Sequence, residues 1–388
     1  MILSVIIVNY NAKYFLEQSL WSLSKALGYI DLKYPGQGSE IILIDNHSTD
    51  SSVAFIRNRF PDLNFLVNAE NLGFSKANNQ GMNQAKGKYI LFLNPDTIIP
   101  EDSLTQCIGS FEENPQSGAI GVRMIDGSGK FLRESKRGFP SAWAAACKIL
   151  GLTSIFPHSQ LFSKYYLGHL SEDENNEVDV LSGAFLMVRR NVLSEIGGFD
   201  EQFFMYAEDI DLSYRIRNAG FHNYYLASTC IIHFKGETTT KNNQYNRQFY
   251  DAMRLFVKKH FRSAASPILN PLLNFSIWIT GQANRLASFF RPVGSSSAKQ
   301  QIRSFVEGNS ANMEEIHQAL ISDGRILIQE MSGANEVVFL EGKSLTYHDI
   351  IERIRRCAKK YSFKIHGEGS QSIVGSDSKD EHGEIITL

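Results

Sequence analysis

Short unbroken apolar runs alternate with longer amphipathic stretches through the first hundred residues. Residues 2–8 are rich in β-branched side chains and give way to polar turn chemistry at Asn9, Tyr10 and Asn11. Runs without polar alternation predict strands buried on both faces, as in a parallel sheet. The same pattern recurs at residues 40–44, ending at Asp45 and Asn46, at 63–67, and at 88–93, ending at Asn94, Pro95 and Asp96. Between these runs, residues 12–27, 48–59 and 75–85 carry helical spacing; Phe15, Leu16, Leu20 and Leu23 share one face of the first. Strand and helix in strict alternation predict an α/β layer architecture with right-handed crossovers. Ligands of such sheets bind beyond the carboxyl ends of the strands, where Asn9, Asp45 and Asp96 fall.

The pattern changes in the second half. Residues 138–176 are irregular and charged toward their end, which suits a loop on the acceptor side of a site. Residues 178–190 read as a strand, 191–196 as a short helix, and Gly197-Gly198 as a break. A helix opening with Glu208, Asp209 and Asp211 stops at Gly220, a natural helix-terminating glycine, and residues 224–233 form another strand ending at His233. No charge interrupts the chain between Arg262 and Arg285, but Pro267 and Pro271 do, so a membrane span is not expected there. Two readings of that segment stay open: a helix lying on the membrane face, with Trp278, Phe289 and Phe290 as anchors, or a helix packed on the catalytic unit. Residues 294–297 read as a linker. Beyond it, strands at 325–329 and 336–340, a helix at 346–361 and a polar, flexible tail from Gly375 describe a small α/β module. The expected division is a catalytic domain over 1–260, an apolar helical segment over 261–294 and this module over 295–388.

Bulk properties narrow the function classes. The 388 residues exceed one average domain, and 43% hydrophobic with 21% charged residues describes an ordinary globular chain able to bury an enzyme core. A formal net charge of −2 argues against a nucleic-acid partner. Cys107, Cys147, Cys230 and Cys357 are widely spaced, as expected for reduced thiols. The chain opens directly on a strand, with neither basic leader nor cleavage site, so a cytoplasmic location is expected, with peripheral contact to the inner membrane as an option.

Individual residues allow two readings each. Asp45, just past a buried strand, suits either a turn or a hydrogen-bond acceptor for a nucleotide's base or ribose. Asp96 is either a helix cap or an exposed acid for a hard divalent cation held mainly by diphosphate oxygens. Three acids at 208–211 complement a helix dipole, yet capping does not require three. Beside Phe203, Phe204 and Tyr206, one of them can gain the raised proton affinity of a general base. His233 is either structural or a metal ligand.

Taken in chain order, VIIVNYN (5–11), IDNHSTD (44–50), NLGFSKANN (71–79), LNPD (93–96), SGAF (182–185), FDEQFF (199–204) and EDIDLSYR (208–215) closely resemble glycosyltransferase family 2, in particular its bacterial rhamnosyltransferase-like branch. The resemblance covers roughly residues 1–260. It implies a GT-A fold, a mostly parallel central sheet flanked by helices that binds a nucleotide-diphospho-sugar. On the donor side it implies Val8, Asn9 and Tyr10 around the base and Asp45 holding it, with Asn46, Gly73, Phe74, Asn78, Asn94 and Asp96 nearby. Gly183, Ala184, Glu208, Asp211 and Arg215 fall on the acceptor and sugar side. Asp209 matches the catalytic base, and Asp96 with His233 matches the ligands of a Mg²⁺ or Mn²⁺. Asn94 stands where many members carry the first acid of the D-x-D motif, which leaves the metal more dependent on Asp96 and the diphosphate. The implied activity is inverting transfer of a sugar, dTDP-L-rhamnose being the favoured donor, to a saccharide or lipid-linked saccharide.

Other classes fit less well. A nucleotidyltransferase or a nicotinamide-dependent oxidoreductase needs a glycine-rich loop after the first strand, where this chain has Asn9-Tyr10-Asn11-Ala12. A processive synthase would need several spanning helices. A transferase using a UDP-sugar, and a non-catalytic sugar-nucleotide binder of the same fold, both remain open.

Overall fold

The computed structural model describes residues 1–235, 243–261, 301–377 and 382–388. The apolar segment over 261–294 and the linker at 294–297 lie outside the described residues, apart from Phe261. The first half forms strands β1 (Leu3–Asn9), β2 (Ser39–Asp45), β3 (Asn64–Val67), β4 (Tyr89–Leu93), β5 (Thr97–Ile98), β6 (Ser117–Ile125), β7 (Asn176–Val178), β8 (Phe185–Arg189) and β9 (His222–His233). Helices α1 (Lys13–Lys33), α2 (Ser52–Arg59), α3 (Phe74–Gln84), α4 (Ser103–Glu113), α5 (Ala142–Ile149), α6 (Leu152–Ile155), α7 (Arg190–Ile196), α8 (Glu208–Asn218) and α9 (Asn243–His260) accompany them.

One sheet runs β3-β2-β1-β4-β8-β6-β9-β5, with β7 paired to β9. β3, β2, β1 and β4 are parallel, so their carboxyl ends open on one edge. β8 enters antiparallel to β4, which brings its start, beside Ala184, against the end of β4. The register sets Asn9 opposite Asp45 and Thr97 opposite His233, so donor-side and metal-side candidates line the same rim. This is the mixed α/β architecture of the GT-A class. The single strand expected over 178–190 is interrupted: β7 and β8 are separated by residues 179–184, which leave the sheet and put Gly183 at the rim. The irregular 138–176 stretch carries the short helices α5 and α6.

The second half forms its own sheet from β10 (Arg303–Gly308), β11 (Ile326–Ile328), β12 (Glu336–Leu340), β13 (Ser362–His366), β14 (Ser372–Gly375) and β15 (Glu384–Thr387), with α10 (Met313–Ser322) and α11 (Tyr347–Arg356). The order β11-β10-β12-β13-β14-β15 is parallel through β13 and antiparallel after it. The expected polar tail is thus corrected at its end, because Ile386 is buried and β15 pairs with β14. The helix expected over 346–361 stops at Arg356, and β13 follows within six residues.

The two sheets share a core. Phe15, Ile98, Ile232 and Phe234 of the first half pack with Val337, Tyr347, Ile351 and Phe363 of the second in one apolar cluster. Polar groups close the seam: Gln18 Nε2 donates to Ser370 Oγ at 2.8 Å and to Ser372 O at 2.7 Å. Glu17, fully buried, accepts from Gln371 N and pairs with Arg59 at 2.8 Å. Burial pushes its proton affinity up, and these donors offset part of that. The Glu101 carboxylate accepts from Tyr347 N at 2.8 Å and His348 N at 3.0 Å, satisfying the first two amides of α11 from across the seam. Thr346 caps the same helix through a reciprocal box with Asp349. Among the described residues, no helix is long and apolar enough to cross a membrane, and all four cysteines are unpaired.

Candidate active site

At the end of β1, Asn9 is fully buried, and its amide donates to Asp45 Oδ2 at 2.9 Å and Ser48 Oγ at 3.0 Å. The other oxygen of Asp45 accepts from Ser48 N at 2.8 Å. Asp45 is therefore buried and committed to shaping the 45–48 turn as well as standing at the strand end. Val8 and Tyr10 flank it half-buried. Asn46 serves as a local frame. Its amide reaches Asn71 Oδ1 and Gly73 O, and its oxygen accepts from Leu72 N and Asn68 Nδ2.

That frame delivers the start of α3. Gly73 adopts φ +81°, and a Cβ there would lie 2.5 Å from Phe204 O, so only glycine fits both the backbone and the space. Phe74 N donates to Phe204 O at 2.8 Å, and Asn78 Nδ2 returns to Phe74 O at 3.0 Å. The donor-side loop is thereby fastened to the aromatic segment ahead of the acids.

That segment ends in two consecutive non-glycine residues with positive φ, Tyr206 (71°) and Ala207 (63°), immediately before α8. Backbone in this region is costly for side-chain-bearing residues and collects at functional sites. Its consequence here is to place Glu208 and Asp209 at the first turn of α8, with Asp209 facing Gly183. Asp209 Oδ2 accepts from Gly183 N at 3.2 Å and from Arg137 Nη2 at 2.5 Å, and Oδ1 accepts from Ile210 N at 2.8 Å. A Cβ on Gly183 would meet Asp209 Cβ at 3.5 Å and the Phe74 ring at 3.7 Å, so donor loop, acid and β7–β8 connection converge at one point. Glu208 is buried with Oε2 lacking a partner among the described residues. Burial, and then the neighbouring Asp209 charge, push its carboxyl up to about 8.

Asp211 and Arg215 take a different part. Asp211 is fully buried and binds Arg215 Nε, Lys259 Nζ and His260 Nε2, each within 2.8 Å. Arg215 also donates to Ile196 O and Gly198 O. Placed by sequence on the acceptor side, both brace α8 against α9 and the 196–198 turn, and the structure brings neither to the Gly183–Asp209 contact. Between the 202–205 segment and α9 lies a half-open pocket of about 220 Å³, lined by Phe203, Phe204, Met205, Gln248, Asp251 and Leu255.

At the other end of the rim, Asn94 N donates to Ala184 O at 2.9 Å, which joins the β4 end to the acceptor-side turn. Asn94 Nδ2 and Asp96 Oδ1 each lie 3.3 Å from His233 Nε2. Burial pushes the Asp96 carboxyl up, but His233, a backbone hydrogen bond and Lys235 together outweigh it and hold the group below its ordinary value. Among the described residues no three His, Cys, Asp or Glu side chains converge as a metal cage. Asp96 Oδ1 and His233 Nε2 are nevertheless spaced much as neighbouring ligands around a cation with bonds of about 2.1 Å. His233 Nδ1 and Asp96 Oδ1 are buried without an aligned hydrogen bond. This donor set would supply two ligands to a divalent ion.

Sequence reading missed Arg137. It lies in an irregular stretch, and its role depends on a partner 72 residues away.

The chain belongs to glycosyl transferase family 2, whose model matches residues 4–197, half of its length. It is 29% identical over 252 residues to N-acetylglucosaminyl-diphospho-decaprenol L-rhamnosyltransferase of Mycobacterium tuberculosis, covering 62% of this chain and 78% of that protein. It is also 29% identical to rhamnosyltransferase WbbL of Escherichia coli, over 57% of this chain and 77% of that one. A mannosyltransferase from Pyrobaculum calidifontis, solved with GDP-Man and Mn²⁺, aligns over 71% of this chain and 69% of its own at 18% identity and a TM-score of 0.45.

Proposed function

We propose that this enzyme transfers L-rhamnose from dTDP-rhamnose, with inversion, to a hydroxyl of a lipid-linked saccharide in cell-envelope glycan synthesis. The observation that carries the reading is Asp209, fixed against Gly183 on the rim that Asn9, Asp45, Asn94 and Asp96 share. Similarity to two named rhamnosyltransferases supports the sugar, and the name of the mycobacterial one supports a diphospho-polyprenol saccharide as acceptor.

In the proposed step, the acceptor hydroxyl oxygen bonds to the anomeric carbon as the bond from that carbon to the diphosphate oxygen breaks. The hydroxyl proton passes to Asp209, and the electron pair of the broken bond leaves with the nucleoside diphosphate. Val8 and Tyr10, half-buried at the strand end, border the base, with the buried Asn9–Asp45 pair fixing the turn behind them, while Gly73, Phe74 and Asn78 shape the sugar side of the donor pocket. Asp96 and His233 would hold a Mg²⁺ or Mn²⁺, which when bound stabilises charge on the leaving diphosphate. The aromatic pocket beside Phe204 receives the acceptor, and Asp211 with Arg215 keeps α8 in place.

Thermal unfolding of the purified protein against a panel of nucleotide sugars tests the donor, since a ligand stabilises by RT ln(1 + [L]/Kd). The expected result is a clear rise in Tm with dTDP-rhamnose and Mg²⁺ or Mn²⁺, reduced by EDTA. A larger rise with UDP-sugars would reassign the donor, and no rise with any nucleotide sugar would remove the reading.

A further inference from the structure

We infer that Arg137 is a positioning residue for the transfer step: with the Gly183 amide it occupies Asp209 Oδ2 and so reserves Oδ1 as the atom that takes the acceptor's proton. This deepens the proposed function and rests on Asp209 as the base.

The geometry is specific. A carboxylate oxygen has two lone pairs. On Asp209 Oδ2 both are directed at donors, Arg137 Nη2 at 2.5 Å and Gly183 N at 3.2 Å. Among the described residues, Oδ1 accepts only from Ile210 N, its own neighbour on α8, which leaves one of its lone pairs for the acceptor hydroxyl. The carboxylate is thus clamped by donors from two other parts of the chain and cannot rotate without losing both. Arg137 is itself fixed. Its Nη2 also donates to Leu181 O at 3.0 Å, and its backbone exchanges hydrogen bonds with Val180 at 3.0 Å and 2.9 Å. Tyr165 contacts it from the 164–166 turn, whose carbonyl accepts from Gly138 N at 2.8 Å. One guanidinium therefore ties the base to the β7–β8 connection that presents Gly183.

The charge balance agrees. Burial disfavours a lone guanidinium, yet Asp209 and then Tyr165 raise Arg137 above its ordinary proton affinity, so it stays cationic. Glu208, next along α8, is pushed up to about 8 by burial and then by the neighbouring Asp209 charge. Asp179, on the same connection as Gly183, is occupied by Arg217 of α8, and Asp211 by Arg215, Lys259 and His260. Among the described residues, Arg137 is the cation paired with Asp209.

Arg137→Gln and Arg137→Lys test this through kcat and KM over pH 5–9, beside Asp209→Asn. Losing the clamp is expected to lower kcat by about 10²-fold in Arg137→Gln with donor KM within about twofold. Without the cation a carboxylate protonates at higher pH, so the acid limb of the kcat profile should move up by about one pH unit or more. Arg137→Lys keeps the charge without the planar guanidinium that reaches Asp209 and Leu181 O together. It should restore the acid limb but not the full kcat, and it supplies the test if Arg137→Gln does not fold. An unchanged acid limb, a loss confined to KM, or a gain in kcat on freeing Asp209 would each overturn the inference. If Asp209→Asn is inactive while both Arg137 variants keep wild-type profiles, only this inference fails; substantial turnover in Asp209→Asn overturns the base reading and this one together.

Discussion

Turnover of an Asp209→Asn protein is expected to fall by about 10²–10⁴-fold, the usual contribution of a positioned general base. Asparagine keeps the shape of the side chain and can still accept from Gly183 N, so the β7–β8 connection should hold its course. It has no basic oxygen for the acceptor proton, and it leaves Arg137 buried beside a neutral partner. Donor binding should change little, because the contacts assigned to the base and diphosphate come from β1, β2, β4 and α3. Steady-state kinetics with calorimetric donor affinity separates the two effects. A large loss of donor affinity with near-normal kcat would move Asp209 from catalysis to donor binding.

The second large effect lies far from the rim. Glu101→Ala removes a carboxylate that serves two amides at the start of α11, one of them fully buried. Unmet buried donors cost about 1–3 kcal/mol each, and hydrogen bonds to charged groups are the stronger kind. The helix also loses a favourable anion at its positive end. A total near 3 kcal/mol is expected, with Tm falling by roughly 5 °C. Calorimetry of the folded variant measures it. A Tm within about one degree of wild type would mean that the two sheets do not depend on this contact. The link matters for the site, because Glu101 follows β5, which pairs with the end of β9 at His233.

The sequence was most informative where burial is uniform. β1, β2 and β4 read as strands because both faces are covered by helices, which leaves no polar alternation, and their ends drew attention to Asn9, Asp45 and Asp96. β6 escaped notice although every residue of it is buried. Its apolar run is broken by Gly118 and Gly121, where a Cβ would meet Phe221 and Leu181, and by Arg123, which pairs with Glu172. Glu17 and Gln18 of α1 look solvent-facing by composition, yet they are fully buried against residues 370–372. A polar residue that answers a partner some 350 positions later leaves no local signature. Arg137 and the bracing role of Asp211 belong to the same class, since the chemistry of a charge is set by what lies opposite it in space. The motif at 208–211 identified the right helix start, but contacts alone separate Asp209, on the rim, from Asp211, which braces.

The stereochemistry of the product tests the central claim most directly. The protein is incubated with dTDP-rhamnose, Mg²⁺ or Mn²⁺ and a diphospho-polyprenol N-acetylglucosamine acceptor, and the new linkage is read by NMR. A single displacement with one base predicts a rhamnosyl product whose anomeric configuration is opposite to that of the donor, formed by wild type and lost in Asp209→Asn. A product that retains the donor's configuration, or equal product from the Asp209→Asn protein, would contradict it.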